Sequence, residues 1–389
     1  MNTPANTLTQ TLAVQSQVHL PGTVGRMLKQ IRDLERLAPR FVEARLVRPV
    51  ARPNPLSLRV AGIRPDYRRN NVFGGFVYVS AAVRVDVTIE NNALATSDQD
   101  SRCVIDDIDF EDQTKRLQLI GLRQCYELAT AAMENGASYD LLLFDGPLVL
   151  NRSMVPIQRG KSAAHRDVYE AAVEAIRTFW GRYREHLFPW NPNGPVLAGL
   201  DTGQVGAIAA VSQQDLRVPE GRQQILAGEG VQLSALEQAL GSEAAITSIG
   251  ERRFIHGIVG SCCRTAAFRM NLQLPEMEPR DVVKEGVIGF HYRAGAQNNP
   301  LLVQLLGAEP GWDSAALDLL AGRLMALTVL TGRDAIPLPL QLAAREQLAL
   351  PHFLALYTKS VGAEMKKKSI EDIWLADFDE PLTERKTQL

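Results

Sequence analysis

The feature that most restricts the fold of this chain is the alternating stretch between Phe76 and Ile89. Small or branched apolar residues occupy every second position from Val77 onward, and most of the positions between them are polar or aromatic. A period of two over this length predicts a β-strand. The stretch from Leu56 to Ile63 predicts a second strand that pairs with it as a neighbour. The chain is therefore expected to contain a sheet with at least one long strand.

A helix and a buried strand are predicted next along the chain. The helix covers about residues 111–134 and carries Glu127, and the strand covers Asp140–Phe144 and ends in Asp145. Open α/β sheets bind their ligands beyond the carboxyl ends of such strands. Two carboxylates that converge there would be the minimum equipment for holding Mg²⁺ or Mn²⁺. Glu127 and Asp145 are therefore candidate catalytic and metal-binding residues.

Simpler interpretations of both acids remain open. Arg123 and Glu127 are four residues apart, so they can form an ion pair on the helix surface. Asp145 is followed by glycine, and Asp-Gly is a common turn with no chemistry attached.

The remaining elements follow from hydrophobic periodicity and turn residues. An amphipathic helix is predicted over residues 22–38 and loops over 64–75 and 90–102. Further strands are predicted at 104–109, 195–200, 205–211, 254–260, 265–274 and 287–293. Further helices are predicted at 162–187, 232–240, 314–331 and, as a pair, 341–359.

Composition excludes some classes of protein. The net charge of −2 gives no global basic field, so nucleic-acid binding would need a local patch. No apolar run approaches the roughly 20 residues of a membrane span. The N-terminus lacks the pattern of a signal peptide. A cytoplasmic location with no membrane contact is the expectation. The four cysteines have no zinc-site spacing.

A local basic patch surrounds the loop predicted after the first strand. Its arginines are Arg52, Arg59, Arg64, Arg68 and Arg69, and Tyr67 and Phe73 lie among them. One interpretation is that these arginines bind the phosphates of DNA. The other, which fits equally well, is that they lie in a solvated loop and bind nothing.

Over most of residues 56–360 these features together resemble the NurA nuclease family. The resemblance rests on a strand that enters a polar loop after VAGI, on Arg123 and Glu127 in an R-x-x-x-E helix, and on the DG-x-L ending at Asp145. The strand–turn–strand LAGLDTGQVGAIA and a C-terminal P-x-x-L stretch before a helix add to it.

The resemblance implies an α/β fold with an RNase H-like mixed sheet, flanking helices and additional β-hairpins. It divides the chain into a flexible N-terminus (1–21), an amphipathic helix region (22–50), a NurA-like domain (51–360) and a C-terminal tail (361–389). It also implies Mn²⁺ or Mg²⁺ as cofactor, DNA and a HerA-type hexameric ATPase as partners, and a homodimer.

The chain departs from the family pattern at three positions. Arg64 stands where the family has its first acid, and Ile336 and Ala344 stand where it has tyrosine and histidine. An arginine beside two carboxylates would neutralise them much as a metal does. Asp66, Asp86 and Asp201 are the candidates to replace the lost acid, with Asp66 the nearest in sequence, and a solvated carboxylate is the simpler interpretation of each.

Three functions follow. The first is a metal-dependent DNA nuclease that processes DNA ends with the ATPase. The second is a NurA-fold subunit that has lost catalysis and binds DNA or assembles with the ATPase. The third is an α/β scaffold with no nucleic-acid role. DNA repair and defence against foreign DNA are both compatible with the first two.

Overall fold

The described part of the computed structural model comprises residues 7–72, 75–109, 111–136, 138–156, 163–201, 225–232, 251–270, 285–329 and 336–368. Ten of its strands form one mixed sheet with helices on both faces. The strands are β1 (Val47–Pro49), β2 (Leu58–Val72), β3 (Gly75–Glu90), β4 (Ala93–Asp109), β5 (Leu141–Asp145), β6 (Val196–Asp201), β7 (Cys263–Thr265), β8 (Phe268–Arg269), β9 (Val287–Arg293) and β10 (Leu301–Leu306).

The helices are distributed along the whole chain. They are α1 (Leu8–Glu43), α2 (Gln113–Glu134), α3 (Ala163–Tyr183), α4 (Glu251–Ile258), α5 (Ser314–Val329), α6 (Leu338–Glu346) and α7 (Leu350–Lys367). None of the described helices is both long enough and apolar enough to cross a membrane.

The strand order is β1-β7-β9-β10-β6-β5-β2-β3-β4, with β8 paired to β9. β5 lies at the centre of a parallel group, between β2 and β6, and the other pairs are antiparallel. β5 and β6 therefore end side by side, next to the middle of β2, which continues to Val72. This α/β architecture confirms the fold class predicted from the sequence.

Two apolar cores hold the layers together. One contains residues of α1 to α4, such as Phe41, Tyr126 and Phe179, packed against one face of the sheet. The other packs α5 and α6 against the opposite face. The predicted strand Phe76–Ile89 lies in β3, which is buried on both faces over nearly all its length. Its apolar positions and its polar positions are both covered, because helices flank both faces of the sheet.

The two predicted loops beside β3 are wrong. β2 continues to Val72 and β4 occupies most of the second loop, so β2, β3 and β4 form a long three-stranded antiparallel ribbon. β4 is an edge strand and most of its residues are exposed. Their polar sequence therefore reflects exposure to water and does not mark a loop.

The prediction of a strand at residues 254–260 is also wrong, because these residues lie mainly in α4. Phe254, Ile255, Ile258 and Val259 are buried, and their spacing is that of one helix face. β10, by contrast, has no counterpart among the predicted strands. The predicted return strand at 205–211 and helix at 232–240 lie mostly or wholly outside the described residues.

α1 begins at Leu8, within the stretch predicted to be flexible. Thr7 forms a capping box with Gln10, in which each side chain accepts a hydrogen bond from the other's backbone N–H. The helix start is thus encoded in the sequence. The division of the chain into four regions otherwise stays a prediction, and residues 369–389 of the tail lie outside the described part.

A buried histidine predicts a pH dependence of stability. His291 on β9 stacks on Phe268 with ring centroids 5.9 Å apart, and its Nδ1 has no hydrogen-bond partner among the described residues. Burial lowers the pKa of His291 from 6.5 to about 3. Between these values the unfolded state binds the extra proton, so stability falls as pH falls through this window, by about 1.4 kcal/mol per pH unit.

The measurement is urea denaturation between pH 7 and pH 5. His291→Phe is expected to remove the contribution of one proton from the slope of unfolding free energy against pH. His19→Gln, on the exposed part of α1, is the control for the loss of a histidine elsewhere. Equal slopes in the wild type and His291→Phe would contradict the assignment.

Candidate functional site

The candidate site lies where β5 ends, beside the middle of β2. These strands are parallel, with Ile63 opposite Phe144. The next residue of each strand therefore places Arg64 beside Asp145 at the carboxyl edge of the sheet. This is the position at which open α/β sheets bind ligands.

Arg64 and Asp145 form an ion pair, with Nη1 of Arg64 donating to Oδ2 of Asp145. Both side chains are largely buried, since 29% of the arginine and 18% of the aspartate are exposed. Partial burial strengthens such a charge-assisted hydrogen bond relative to one in water. The carboxylate of Asp145 is thus neutralised by a side chain of the protein itself.

Gln347 holds the arginine from the other side. Its Oε1 accepts a hydrogen bond from Nε of Arg64 at 3.1 Å, and its Nε2 donates to the backbone carbonyls of Arg64 at 2.9 Å and Ala81 at 3.1 Å. Gln347 is itself buried, with 3% of its surface exposed. The guanidinium therefore has fixed partners on two sides and is held against Asp145.

A cavity of about 450 Å³ opens beside this pair. Its lining is mostly apolar and includes Asp66, Tyr67, Cys125 and Asp145. Burial, and secondarily the charge of Asp145, raises the pKa of the Cys125 thiol, so the thiol stays protonated at neutral pH. The cavity thus has two carboxylates at its wall and no thiolate.

The second carboxylate also has its own arginine. Oδ1 of Asp66 accepts a hydrogen bond from Nη1 of Arg68 at 2.5 Å and one from the backbone N–H of Tyr67 at 2.8 Å. The guanidinium carbon of Arg69 lies 4.5 Å from the ring centroid of Phe76, a cation–π arrangement. Arg59, Arg64, Tyr67, Arg68 and Arg69 of the predicted basic patch therefore lie in β2, Arg52 precedes the strand, and Phe73 lies outside the described residues. Arg64 and Arg68 are paired with acids.

Glu127 does not line this cavity. Its Oε1 accepts a hydrogen bond from Nε of Arg123 at 2.6 Å on the surface of α2. It lines a separate, open groove together with Arg102 and Glu174. The reason is helical geometry: Gly121 and Cys125 of α2 face the cavity, and Glu127, two positions after Cys125, points to another side. The surface ion pair that the sequence left open is the arrangement observed.

Asp86, another candidate for the missing acid, is not at the pair either. Asp86 is largely buried on β3, where its carboxylate accepts a hydrogen bond from the Tyr139 hydroxyl at 2.9 Å and pairs with Nε of Arg84 at 3.2 Å. Burial raises the pKa of Asp86, while Arg84 opposes that rise. Tyr139 precedes β5, so this cluster lies towards the amino end of that strand. Asp201 ends β6, and its side chain is outside the described part.

The described residues do not fit a Mn²⁺ or Mg²⁺ site. Such ions require several oxygen ligands, whereas the Asp145 carboxylate is bonded to a guanidinium and Glu127 lies in a different groove. Within the described ranges no three histidine, cysteine, aspartate or glutamate side chains cluster as metal ligands would. Arg64 already supplies the positive charge that a cation would bring.

Gln347 was missed by the sequence analysis, although a signal for it exists. It lies three residues after Ala344, the position at which the resemblance expects a histidine. Residues three apart on a helix share a face, so the next polar side chain on that face belongs to Gln347.

The fold and the edge-of-sheet cavity define the class of protein, an α/β protein with a mixed sheet flanked by helices. No family model matches the sequence, and no curated protein matches it. Among solved structures, the NurA nuclease from Sulfolobus solfataricus is similar, with a TM-score of 0.56 and 14% identity over 92% of this chain and 97% of that chain. The chain therefore has the NurA fold.

Two other solved structures have lower scores. A second NurA matches with a TM-score of 0.42 and 8% identity, covering 84% of this chain and 93% of that one. NurA bound to dAMP and manganese matches with a TM-score of 0.41 and 10% identity, covering 86% and 93%.

Proposed function

We propose that this chain is a DNA-binding subunit of NurA fold that assembles with a HerA-type hexameric ATPase at DNA ends in the cytoplasm, as a homodimer, and that its edge-of-sheet site does not cleave DNA. The observation that carries the proposal is the Arg64–Asp145 ion pair. It occupies the place where the family resemblance expects two acids, and Gln347 fixes its geometry.

The loss of cleavage follows from charge. Metal-dependent hydrolysis needs a cation that activates water and stabilises the charge on the attacked phosphate. A guanidinium can bind a phosphate, but it has no exchangeable water to activate, and its own partner here is Asp145. Among the described residues, the site therefore has a guanidinium that can bind a phosphate and lacks the ligands of a metal ion that would hydrolyse it.

Binding to DNA is assigned to the outer part of β2. Arg68 is 44% exposed although it pairs with Asp66, and Arg69 lies on the ring of Phe76. Phosphates compete well for exposed arginines, because exposed ion pairs contribute little stability.

The remaining metal hypothesis, a Mn²⁺- or Mg²⁺-dependent nuclease, would require ligands from outside the described residues.

The proposal predicts that the purified protein, alone or with its ATPase, binds linear DNA and does not cut it in Mn²⁺ or Mg²⁺. Asp145→Ala should be as inactive in cleavage as the wild type. Cleavage that Asp145→Ala abolishes would overturn the proposal in favour of the nuclease.

Salt dependence of DNA binding tests the assigned surface. Arg68→Gln with Arg69→Gln should weaken binding, and the slope of log affinity against log salt should decrease by about 0.9 for each phosphate that the protein no longer neutralises. The matched control is Arg182→Gln with Arg345→Gln, two exposed arginines on other elements. Equal affinity and slope in the two double variants would refute the β2 surface, and absence of any DNA binding would leave the scaffold.

A further inference from the structure

The outer side of α7 presents an exposed apolar stripe, formed by Leu348, Phe353 and Leu356. Leu348, just before the helix, is 76% exposed, and Leu356 and Phe353 are 51% and 44% exposed. The inner side of the helix is covered, because Leu354 packs in a cluster with valines of β2 and β3. The ring of Phe353 stacks on that of Tyr357, with centroids 6.5 Å apart, and Tyr357 packs against the same cluster. The stripe is therefore held on a well-packed helix.

Lysines gather towards the carboxyl end of the same helix. They are Lys359, Lys366, Lys367 and Lys368, all exposed, and the helix sequence contains one acid, Glu364. Positive charge at this end complements the helix dipole, so the lysines by themselves do not indicate a ligand. Together with the apolar stripe they form a surface that fits a segment both apolar and acidic. DNA would match the lysines and leave the stripe uncovered.

The sequence supplies such a segment directly after the helix. Residues 370–380 read IEDIWLADFDE and contain five acids and no basic residue. Trp374 and Phe378 lie four positions apart among these acids. The apolar and acidic character of this segment is complementary to the apolar and basic character of α7.

The segment is also long enough to return along the helix. Leu356 and Phe353 precede Lys368 by 12 and 15 positions, which is about 18 Å and 22 Å at helical rise. Trp374 and Phe378 follow Lys368 by 6 and 10 positions, and an extended chain spans up to about 20 Å and 33 Å over these lengths. Both aromatic residues therefore reach the stripe. A segment tethered in this way acts at an effective concentration on the order of millimolar, so a weak contact is sufficient.

The position of α7 relative to β2 gives this contact a consequence. Gln347, just before the helix, accepts a hydrogen bond from Arg64, and Thr358 accepts one from Nδ2 of Asn70 at 2.9 Å. The helix therefore runs alongside the outer part of β2. The middle of the helical interval is level with Arg68.

Arg68 also lies on the face of the sheet that α7 covers. Val79, opposite Arg68 on β3, belongs to the cluster that packs against α7, and opposite residues of an antiparallel pair share a face. If Phe378 lies on the middle of the stripe, its neighbours Asp377 and Asp379 come close to this arginine. The acids would then occupy a place that a DNA phosphate would otherwise take.

We propose that residues 370–380 dock on the apolar stripe of α7 within the same chain, and that their carboxylates compete with DNA phosphates for Arg68. The competition rests on the DNA binding of the proposed function. The docking does not depend on it.

The docking is tested in the full chain with the photoreactive residue benzoylphenylalanine in place of Phe378. Illumination is expected to crosslink this position to residues 348–360, as mapped by mass spectrometry. An equal mixture of ¹⁵N-labelled and unlabelled protein separates crosslinks within one chain from those between chains. Phe353→Glu with Leu356→Glu should abolish the crosslink. The matched control is Leu319→Glu, at a leucine of α5 that is 51% exposed, and it should retain the crosslink.

Three results would overturn the docking. They are the absence of a crosslink, a crosslink to another part of the chain, and a crosslink between differently labelled chains. A crosslink to the stripe that survives the double glutamate variant would also contradict the assigned contact. If position 378 crosslinks only to the ATPase when that protein is added, the segment belongs to the partner and the proposal is wrong.

The competition is tested by the affinity for linear DNA. Asp377→Asn with Asp379→Asn is expected to tighten binding about tenfold, the change that follows if the segment covers the site for about nine-tenths of the time. Asp106→Asn with Asp107→Asn makes the same change of net charge on the exposed strand β4 and should have a much smaller effect. No gain, or equal gains in the two double variants, would refute the competition. If neither the wild type nor any variant binds DNA, the proposed function fails and the competition with it, whereas the crosslinks still decide the docking.

Discussion

Replacing Arg64 with aspartate is expected to raise the affinity of the protein for Mn²⁺ by about tenfold or more. The substitution removes the guanidinium that neutralises Asp145 and puts a second carboxylate beside it on the neighbouring strand β2. A cation beside a carboxylate neutralises its charge, whereas a second carboxylate adds negative charge that attracts a metal ion. A tenfold change corresponds to about 1.4 kcal/mol, well within the effect of exchanging one charge for its opposite. Calorimetric titration with Mn²⁺ measures it.

Arg68→Asp is the matched control. It makes the same change of charge on the same strand, at a side chain that is 44% exposed and pairs with Asp66. The control should bind Mn²⁺ much as the wild type does. If both variants gain affinity equally, the gain reflects net charge and the explanation based on the ion pair is wrong. If the wild type already binds Mn²⁺ as tightly as Arg64→Asp, the assignment of Arg64 as a substitute cation is wrong.

Glu229→Ala is expected to destabilise the fold by about 3–5 kcal/mol. The Glu229 side chain is 1% exposed and accepts hydrogen bonds from Nη1 of Arg264 at 2.7 Å and from the backbone N–H of Ala267 at 3.0 Å. It also pairs with Nη2 of Arg48 at 2.7 Å. Arg264 is fully buried and, among the described residues, retains only Asp318 as an acidic partner when Glu229 is removed. A buried charge without its partner is among the most costly point changes.

Chemical denaturation measures this destabilisation. Glu229→Gln keeps the shape and the hydrogen-bonding oxygen and should cost less than Glu229→Ala. Glu364→Ala removes an exposed ion pair with Lys367 and should change stability by no more than about 0.5 kcal/mol. A decrease below about 1 kcal/mol in Glu229→Ala would mean that the network around Arg264 relaxes or hydrates without it.

The sequence was sufficient for the features that depend on local periodicity. The alternation of apolar residues around Val83 predicted β3. The pattern of residues 111–134 predicted α2, and the apolar run that follows it predicted β5. The spacing of apolar residues within one helix or strand indicates which of its faces is buried. The family resemblance then predicted the class of fold, which the structure confirms.

Polar stretches were misjudged because polarity alone does not separate a loop from an exposed strand. β4 is hydrogen-bonded to β3 along its whole length. This pairing stabilises β4 as a strand, and it does not require alternating apolar residues in the sequence of β4. The helix α4 was assigned as a strand for a related reason. The four-residue spacing of Phe254 and Ile258 fits both the period of a strand and that of a helix. The contact of Phe254 with Phe41 of α1 is a long-range feature that this spacing does not show.

By itself, the sequence predicted that Asp145 ends a buried strand, and its resemblance to the NurA family placed Arg64 where that family has an acid. Only the tertiary structure decided what the two residues do. The parallel register of β2 and β5 places them in contact, and Gln347, 283 positions after Arg64 in the chain, holds the arginine in place. Glu127 points away because side-chain direction on a helix depends on which face is buried. Convergence of side chains is a long-range property, and spacing along a chain does not encode it.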